Sequence, residues 1–554
     1  MKTDVLVVGG GPVGLTMACE LYRHGVSCRA VDQNEAPQIW SKAAAMSART
    51  LEMLEDMGLV AKMHERGRPV YGMNLYKGKE CLARVEFEMA GTSYPYILGI
   101  SQRDTELLLA EHLETRGGKL ERPVKLESFE HDASGVRATL AHPDGRREQV
   151  EADWLIGCDG AKSTVRRVLG LPFEGSTFEQ NLIMADIRAE LPFAVDPNEG
   201  VLFVSSAGLI VLLPLLGDNR YRVICPNMPD PDAEPTISCF LAIAEQRAPS
   251  GTRFYDEAWV TKFRFHGRIV PRYRDGRVFL AGDAAHIHSP VGGQGMNMGM
   301  QDAENLAWKL ALVQQGAAHE WILDSYQPER RPVAAATVGI TDRVTQAMMR
   351  AMTLRSPIAE ALRNQVIAFV AGSGLIGERL FSAVGQLGVS YASSPLVGEH
   401  HVSIWSSEVG GARDTEQPKL SDWIGFSRGI GAGERVPNLE LNGRKLSDLL
   451  HGTEHVLFLF DGEASTPEGY ENLASIASTV KERWGRWIRV HIVVPEGREP
   501  DLDEFLSDRD LSLHRHFGCR SEALCLVRPD GYVGFRSQPA VAEKLYAYLE
   551  RIWI

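Results

Sequence analysis

Hydrophobic and polar positions along the chain change period several times, and the changes mark its elements. Val5 to Val8 is a short unbroken apolar run; glycines follow, and Val13 to His24 then repeats apolar residues at helical spacing, giving strand, turn and helix. A second strand ends at Val31-Asp32. Residues 70 to 100 and 181 to 265 alternate apolar and polar positions between Gly, Pro and Asn breaks, which predicts strands of one covering sheet. Helical periodicity fills Asp302 to Gln315 and Ala334 to Leu380, then gives way near Ser393-Ser394-Pro395 to a loop-rich stretch. A separate C-terminal domain is expected from about residue 400. Inside it, strand patterns at His455 to Phe460 and Ile488 to Val494 flank a helical one. Leu524 to Val527, the turn Asp530-Gly531, Tyr532 to Phe535 and a terminal helix follow.

At 554 residues the chain is too long for one core and suggests roughly three units. Its 59 Lys and Arg against 72 Asp and Glu give a net charge of -13, which argues against a nucleic-acid or anionic-membrane partner and for a small molecule. The eight Cys form no CxxC pair and no dense pattern, as expected in a reducing cytoplasm. Met-Lys-Thr-Asp opens onto glycines without a signal peptide's features, and the most apolar stretch, Gly208 to Leu216, is too short to cross a bilayer, so a cytoplasmic protein is expected.

The first chemical motif is Gly9-Gly10-Gly11-Pro12-Val13-Gly14, a GxGxxG between a strand and a helix. Gly9 permits the turn, Gly11 lets backbone approach a pyrophosphate, and Gly14 allows close helix packing, while the helix N-terminus that Pro12 and Val13 open attracts negative charge. Asp32, 18 residues beyond Gly14 and followed by Gln33, stands where a carboxylate accepts hydrogen bonds from an adenosine ribose.

A second motif runs from Arg277 through Gly282-Asp283 to His286, and continues as Pro290-Val291-Gly292-Gly293-Gln294-Gly295-Met296-Asn297. It resembles the second FAD fingerprint of the group A flavoprotein monooxygenases, the p-hydroxybenzoate hydroxylase-like aromatic hydroxylases. The resemblance assigns Asp283, beside Gly282, to the ribityl or pyrophosphate region. It assigns the glycines after Pro290, with Gly292 and Gly295, to close approach of the flavin ring, and the helix beginning at Gly295, Met296 and Asn297 to stabilising charge on reduced flavin. Asp153 to Arg166 resembles the family's Asp-Gly motif, with Asp159, Ser163 and Arg166 matching; Asp159 and Arg166 equally suit a strand-helix junction. Arg49, in Ala43 to Gly58, matches an arginine near the flavin phosphates, and Gln102, after Ser101, a glutamine near the diphosphate. The likeness covers residues 3 to 345 and includes Tyr326 to Pro332, expected to pack the helical end of the domain. It departs from the family at Gln33, where arginine is common.

The resemblance implies an α/β fold: a Rossmann-type FAD-binding domain over 1–180 and 266–345, to whose companion substrate sheet 70–100 contributes. A mainly β substrate domain occupies 181–265 and a helical connection 346–400. Residues 401–554 form a C-terminal α/β domain whose element order resembles the thioredoxin-like domain of phenol and polyketide hydroxylases. Without CxxC that domain is expected to serve packing or homodimer formation. FAD as bound cofactor, NADPH or NADH as co-substrate, and O2 are implied, with hydroxylation of a phenolic or polycyclic, polyketide-like aromatic by a flavin hydroperoxide. Baeyer-Villiger oxidation, epoxidation and a reductase without oxygen insertion stay open on the same fold. A halogenase does not fit, because Trp484 and Trp487 are not in a Trp-x-Trp-x-Ile-Pro motif. No catalytic base is named: His286 is read as structural, and His288 carries no assigned role. The cluster Arg264 to Arg277 is read as a solvated face. His514, His516 and Cys519 are read as a surface loop, and no metal site is expected.

Overall fold

The computed structural model describes residues 2–37, 43–205, 207–226, 235–288, 293–353, 384–401, 420–462, 470–497 and 505–554. The chain divides into two compact units, Met1–Ala307 with Arg330–Leu387, and Trp308–Glu329 with Gly388–Ile554.

At the centre of the first unit lies the strand Lys2–Val8, parallel to Arg147–Gly157 on one side and to Cys28–Val31 on the other. Val278–Leu280 and Leu120–Glu121 extend the parallel set at its two ends. Val5 to Val7 are wholly buried, which explains the unbroken apolar run: a parallel strand covered on both faces has no polar side. Pro12–Arg23 is the crossover helix, with proline in its first turn, where the missing N–H costs nothing. This is the Rossmann-type arrangement expected from the glycine turn.

A second, eight-stranded sheet runs in the order His286–Ile287, Arg253–Ile269, Glu174–Glu190, Arg220–Pro226, Gly208–Pro214, Glu199–Ser205, Gly72–Lys77, Glu80–Glu86. Alternation sorts its side chains. Ile183, Ala185, Ile187, Val201, Phe203, Ile210, Leu212, Val223 and Cys225 pack on one face against Phe240, Ile243 and Ala244 of the helix Ile237–Arg247. The expectation for residues 70 to 100 holds only in part. Gly72–Lys77 and Glu80–Glu86 join this sheet, but Ile97–Gly99 pairs with Ala45–Met46 and Arg68–Val70 in a separate three-stranded one.

The long helix Gln294–Gln314 starts eight residues before the periodic stretch that predicted it, because its first two turns are glycine- and methionine-rich and lack an apolar stripe. The next helix, Tyr326–Thr353, begins before Ala334; the rest of the helical stretch expected up to Leu380 lies outside the described residues.

In the second unit six strands are ordered Gly398–His401, Val533–Gln538, Ala523–Val527, His455–Phe460, Ile488–Pro495, Leu506–Asp508. His455–Phe460 pairs parallel with Ile488–Pro495 and antiparallel with Ala523–Val527, the thioredoxin-like order. Leu457 and Leu459 face one core with the helices Glu471–Trp484 and Ala542–Ile552, while Val456, Phe458 and Phe460 face the other. The surface-loop reading of His514 and Cys519 is overturned. His514 sits in the helix Ser512–Phe517, is fully buried, and holds Asp508 through Nδ1 at 2.7 Å; Cys519 is buried in the core. A loop reading failed because the partner carboxylate comes from the preceding strand end.

Four charges are buried together in this unit. Glu329 accepts from Lys309 Nζ at 2.7 Å and from two Arg528 nitrogens at 2.7 and 2.9 Å, and Arg528 donates through Nε to Asp530 at 3.0 Å. Burial pushes the Lys309 ammonium down to about 8, against the pull of Glu329. Taking away the shared carboxylate leaves Arg528 with Asp530 but takes from the Lys309 ammonium its carboxylate partner in a dry core. Glu329→Gln should therefore destabilise this unit by about 3–5 kcal/mol, read as a lowered denaturant midpoint; a midpoint within error of wild type would show that the cluster contributes nothing net.

Candidate active site

All the parallel strands of the first sheet end at one edge. Val8 is level with Gly157 and Val31, and Gly157 with Leu280, so Gly9, Asp32, Asp159 and Gly282-Asp283 follow from adjacent strand ends. Ligands of open parallel sheets bind at this edge. The glycines there differ in purpose. A Cβ on Gly9, whose φ is +115°, would lie 2.3 Å from the Cys158 carbonyl oxygen, and one on Gly14 would lie 1.9 Å from that of Gly9. Both positions are closed by backbone. Among the described residues, Gly11 has nothing within 4 Å of its Cβ direction.

One cleft brings together Gly9, Gly11, Asp32, Gln33, Gln102 and Asp159. Asp32 accepts from the Gly10 N–H at 2.6 Å and, through its other oxygen, from the Asn34 N–H at 2.7 Å, so it fixes both the glycine turn and the bend after its own strand. Asp159 accepts from the Thr164 and Val165 N–H groups at 2.6 and 3.2 Å, while its Oδ1 is buried and has no hydrogen-bond partner among the described residues. Burial raises its carboxyl. A donor-bearing ligand in the cleft would supply what that oxygen lacks. Arg166 donates to the carbonyls of Ala161 and Ala284 at 2.6 and 3.0 Å, joining this turn to the second motif.

Two further lining residues, Glu106 and Arg122, were not singled out in the sequence. Gln102 Nε2 donates to Glu106 at 2.9 Å, Arg122 stands 3.8 Å from Glu106, and Arg122 also donates to the Gly10 carbonyl at 2.7 Å. Burial pushes the Glu106 carboxyl up to about 7, against the Gln102 hydrogen bond and the charge of Arg122, with Asp32 adding to the rise. The i, i+4 spacing from Gln102 was the available signal for Glu106; nothing local marks Arg122.

The second motif is held by Asp302. Its Oδ2 accepts from His286 Nε2 at 2.7 Å and from the Gly282 N–H at 3.1 Å, and its Oδ1 from Arg330 Nε at 2.7 Å. Burial would raise this carboxyl, but Arg330 and His286 outweigh it and hold it below the usual range. His286 is thus committed to structure. Gly282 and Gly299 close on Val13: Cβ atoms there would meet its Cγ2 at 2.8 and 2.5 Å. Asp283 is exposed at the strand-end edge. Pro290 and Gly292 lie outside the described residues.

The long helix presents its first N–H groups at Gln294, Gly295, Met296 and Asn297. The Asn297 side chain is not part of that offer. Its Oδ1 accepts from the Ser47 N–H at 2.9 Å and its Nδ2 donates to the carbonyls of Ala45 and Gly293 at 2.9 and 2.8 Å. Gln301 Nε2 donates to Gln386 at 2.6 Å, and Gln386 in turn donates to Gln294. Arg49 is buried and donates to both Glu304 oxygens at 3.0 and 2.8 Å. The structure therefore does not bring Arg49, Met296 or Asn297 into the glycine cleft.

The sheet face opposite the helix Ile237–Arg247 carries two cross-strand rows. Leu202, Val211, Ile224 and Met184 are register neighbours, as are Leu213, Arg222, Asp186 and Trp259. Arg222 NH2 donates to Asp186 at 2.9 Å, and its guanidinium lies 4.8 Å from the Trp259 ring centre.

A family model described as FAD binding domain matches residues 2–341, and one described as aromatic-ring hydroxylase, C-terminal, matches 431–553. The chain is a member of the FAD-dependent aromatic-ring hydroxylases. It is 33% identical to the 6-methylpretetramide 4-monooxygenase of Streptomyces rimosus, over 99% of this chain and 93% of that one. It is 31% identical to the pentachlorophenol 4-monooxygenase of Sphingobium chlorophenolicum, over 96% and 93%. The solved complex of aklavinone-11 hydroxylase with FAD and aklavinone superposes with a TM-score of 0.74 at 26% identity, covering 99% and 98%. This hydroxylase is thus an FAD-dependent aromatic monooxygenase, and among its described residues no helix is long and apolar enough to cross a membrane.

Two measurements test the cleft. Asp32→Ala removes the hydrogen bond that shapes the glycine turn, so the dissociation constant for FAD should rise roughly tenfold, the cost of one charge-assisted hydrogen bond; unchanged affinity makes Asp32 a strand-end residue only. Glu106 gains charge as pH rises through about 7 beside Asp32, and an anionic cofactor favours its neutral form. FAD should accordingly bind more tightly at pH 6 than at pH 8, with Glu106→Gln flattening the difference in a flavin-fluorescence titration.

Proposed function

We propose that the hydroxylase uses NADPH or NADH and O2 to hydroxylate a phenolic or polycyclic, polyketide-like aromatic. The observation that carries the reading is the juxtaposition within one unit of a dinucleotide cleft at the strand ends and a sheet whose free face bears a half-buried apolar row, Leu202, Val211 and Ile224 beside Met184. Residues 1–180 and 266–345 hold the cofactor, 181–265 the substrate, and 401–554 form the thioredoxin-like part. When bound, FAD accepts hydride from the reduced nicotinamide and activates oxygen for transfer to the ring.

The protein's own residues bind and orient. Gly9, Gly11 and the helix start at Pro12, Val13 and Gly14 admit the pyrophosphate. Asp32 and Gln33 take the ribose end, Gln102 and Asp159 the diphosphate, and Gly282-Asp283 the ribityl chain. Arg49 is committed to Glu304 and is given no part in holding the phosphates. At the long helix, Gly295, Met296 and Asn297 contribute backbone N–H groups, since the Asn297 amide is spent on Ser47, Ala45 and Gly293. The relatives' names support an aromatic substrate: one names 6-methylpretetramide, another pentachlorophenol.

The experiment is NADPH oxidation against phenols and polyketide intermediates under labelled oxygen. One labelled atom in a ring hydroxyl is expected; an inserted ring oxygen or peroxide alone would replace hydroxylation by Baeyer-Villiger or reductase chemistry. Gly295→Val separates ring placement from cofactor retention. Among the described residues a Cβ at Gly295 would meet the His288 ring, at 3.5 Å, an ordinary contact, and the added methyls would crowd the space before the helix. FAD should remain bound, with slowed flavin reduction and peroxide in place of product; wild-type reduction and coupling would put the ring elsewhere.

A further inference from the structure

The carboxylates Asp32, Glu106 and Asp159 all line the glycine cleft, and a diphosphate entering it adds more negative charge. A cation has to offset them. Lys125 and Lys162 line the cleft too, but both are exposed, and water screens their charge. Arg122 differs. Its side chain is only 14% exposed, and it follows the strand Leu120–Glu121, which pairs with the end of Cys28–Val31. The guanidinium lies over the glycine turn. Its Nη2 donates to the Gly10 carbonyl at 2.7 Å, and a Cβ on Gly10 would come within 2.9 Å of the same nitrogen. Gly10 adjoins Gly11, whose backbone is assigned to the pyrophosphate.

Most donors of this arginine are unused. Among the described residues Arg122 makes that one hydrogen bond, its buried Nε has no partner, and the Glu106 carboxylate stands 3.8 Å away, outside hydrogen-bond distance. A guanidinium offers five N–H donors in a planar fork that suits two phosphate oxygens at once. Glu106 is under-compensated in turn. The Gln102 amide is its one donor among the described residues, Arg122 keeps its distance, and Asp32 faces it from the neighbouring strand end. Burial, the largest cause, pushes its carboxyl up to about 7.

We propose that Arg122 is the cation that receives the FAD diphosphate, and that Glu106 takes up a proton as the cofactor enters. The fork turns from Glu106 to the phosphates, where charge-assisted hydrogen bonds are available. Glu106 is then a buried carboxylate facing Asp32 and a diphosphate, and burial and like charge both favour its neutral form. Well below pH 7 it already carries the proton and binding takes up none; above that pH, binding draws one from solvent. The proposal rests on assigning this cleft to FAD and needs no substrate, so it stands apart from the hydroxylation reading.

The test is calorimetric titration of the full-length protein, stripped of flavin, with FAD in two buffers of unlike ionisation enthalpy. At about pH 8 the difference in heat should report about one proton taken up per FAD, shrinking at about pH 6 and absent in Glu106→Gln. Arg122→Met should weaken FAD and ADP roughly tenfold while leaving adenosine, which has no phosphate, nearly unaffected; Arg122→Lys, which keeps the charge, should recover part of the loss. Equal losses for ADP and adenosine would make Arg122 a strut of the glycine turn and overturn the proposal. Unchanged FAD affinity without the arginine does the same, as does proton uptake that persists in Glu106→Gln. Should Arg122→Met fail to fold, the lysine variant and the proton count decide the matter. The cofactor assignment fails separately, through wild-type protein that takes up no FAD.

Discussion

The cofactor half of the molecule depends on three places where a side chain is missing. Gly9 lies on the Cys158 carbonyl, Gly14 on the Gly9 carbonyl, and Val13 fills the notch between Gly282 and Gly299. At each contact backbone meets backbone, or one branched side chain meets two glycines, at distances that admit no further carbon. Two motifs some 270 residues apart are thereby locked into one surface, and the strand ends acquire a shared edge. A single methyl at Gly9 pushes the turn off the Cys158 carbonyl and one at Gly14 pushes the helix off the turn, while one at Gly11 meets nothing among the described residues, so tolerance to substitution maps directly onto purpose.

Charge is organised around the same contacts. Asp302 holds the second turn from below with one carboxylate that serves a backbone N–H, a histidine and an arginine, and Asp32 holds the first turn through Gly10. In both cases a carboxylate fixes a glycine-rich turn whose own sequence gives it no rigidity. Glu106 and Arg122 add a second tie, from the helix side to the carbonyl of Gly10.

What could be read from the sequence was what is local. Strand, turn and helix at Val5 to His24, the carboxylate at Asp32, and the apolar strands of the C-terminal sheet are each written within a few residues, and the structure has them there. The helix start at Gln294 was missed because a helix that opens with glycine and methionine has no apolar stripe to read. Arg122, Asp302 with Arg330, and Gln386 with Ser47 escaped for another reason: their partners lie 112, 28 and 339 residues away, and no spacing rule reaches that far. His514 was misjudged for a different reason: Asp508 lies only six residues before it, at the end of a strand that the sequence reading did not mark. The Asn297 amide shows the converse, a residue found by motif whose side chain serves the scaffold.

The seam between the long helix and its neighbours is made of amides. Gln294, Asn297, Gln301 and Glu304 recur at helical spacing and meet Ser47, Arg49 and Gln386 through hydrogen bonds rather than interlocking methyl groups. An apolar seam can drift, because most neighbouring hydrophobic shapes repack at small cost. A buried polar seam cannot, because each lost partner leaves another group unsatisfied. Along lineages of this enzyme these positions are therefore expected to change in concerted pairs, which makes the seam a place where ancestry is recorded as correlated substitutions.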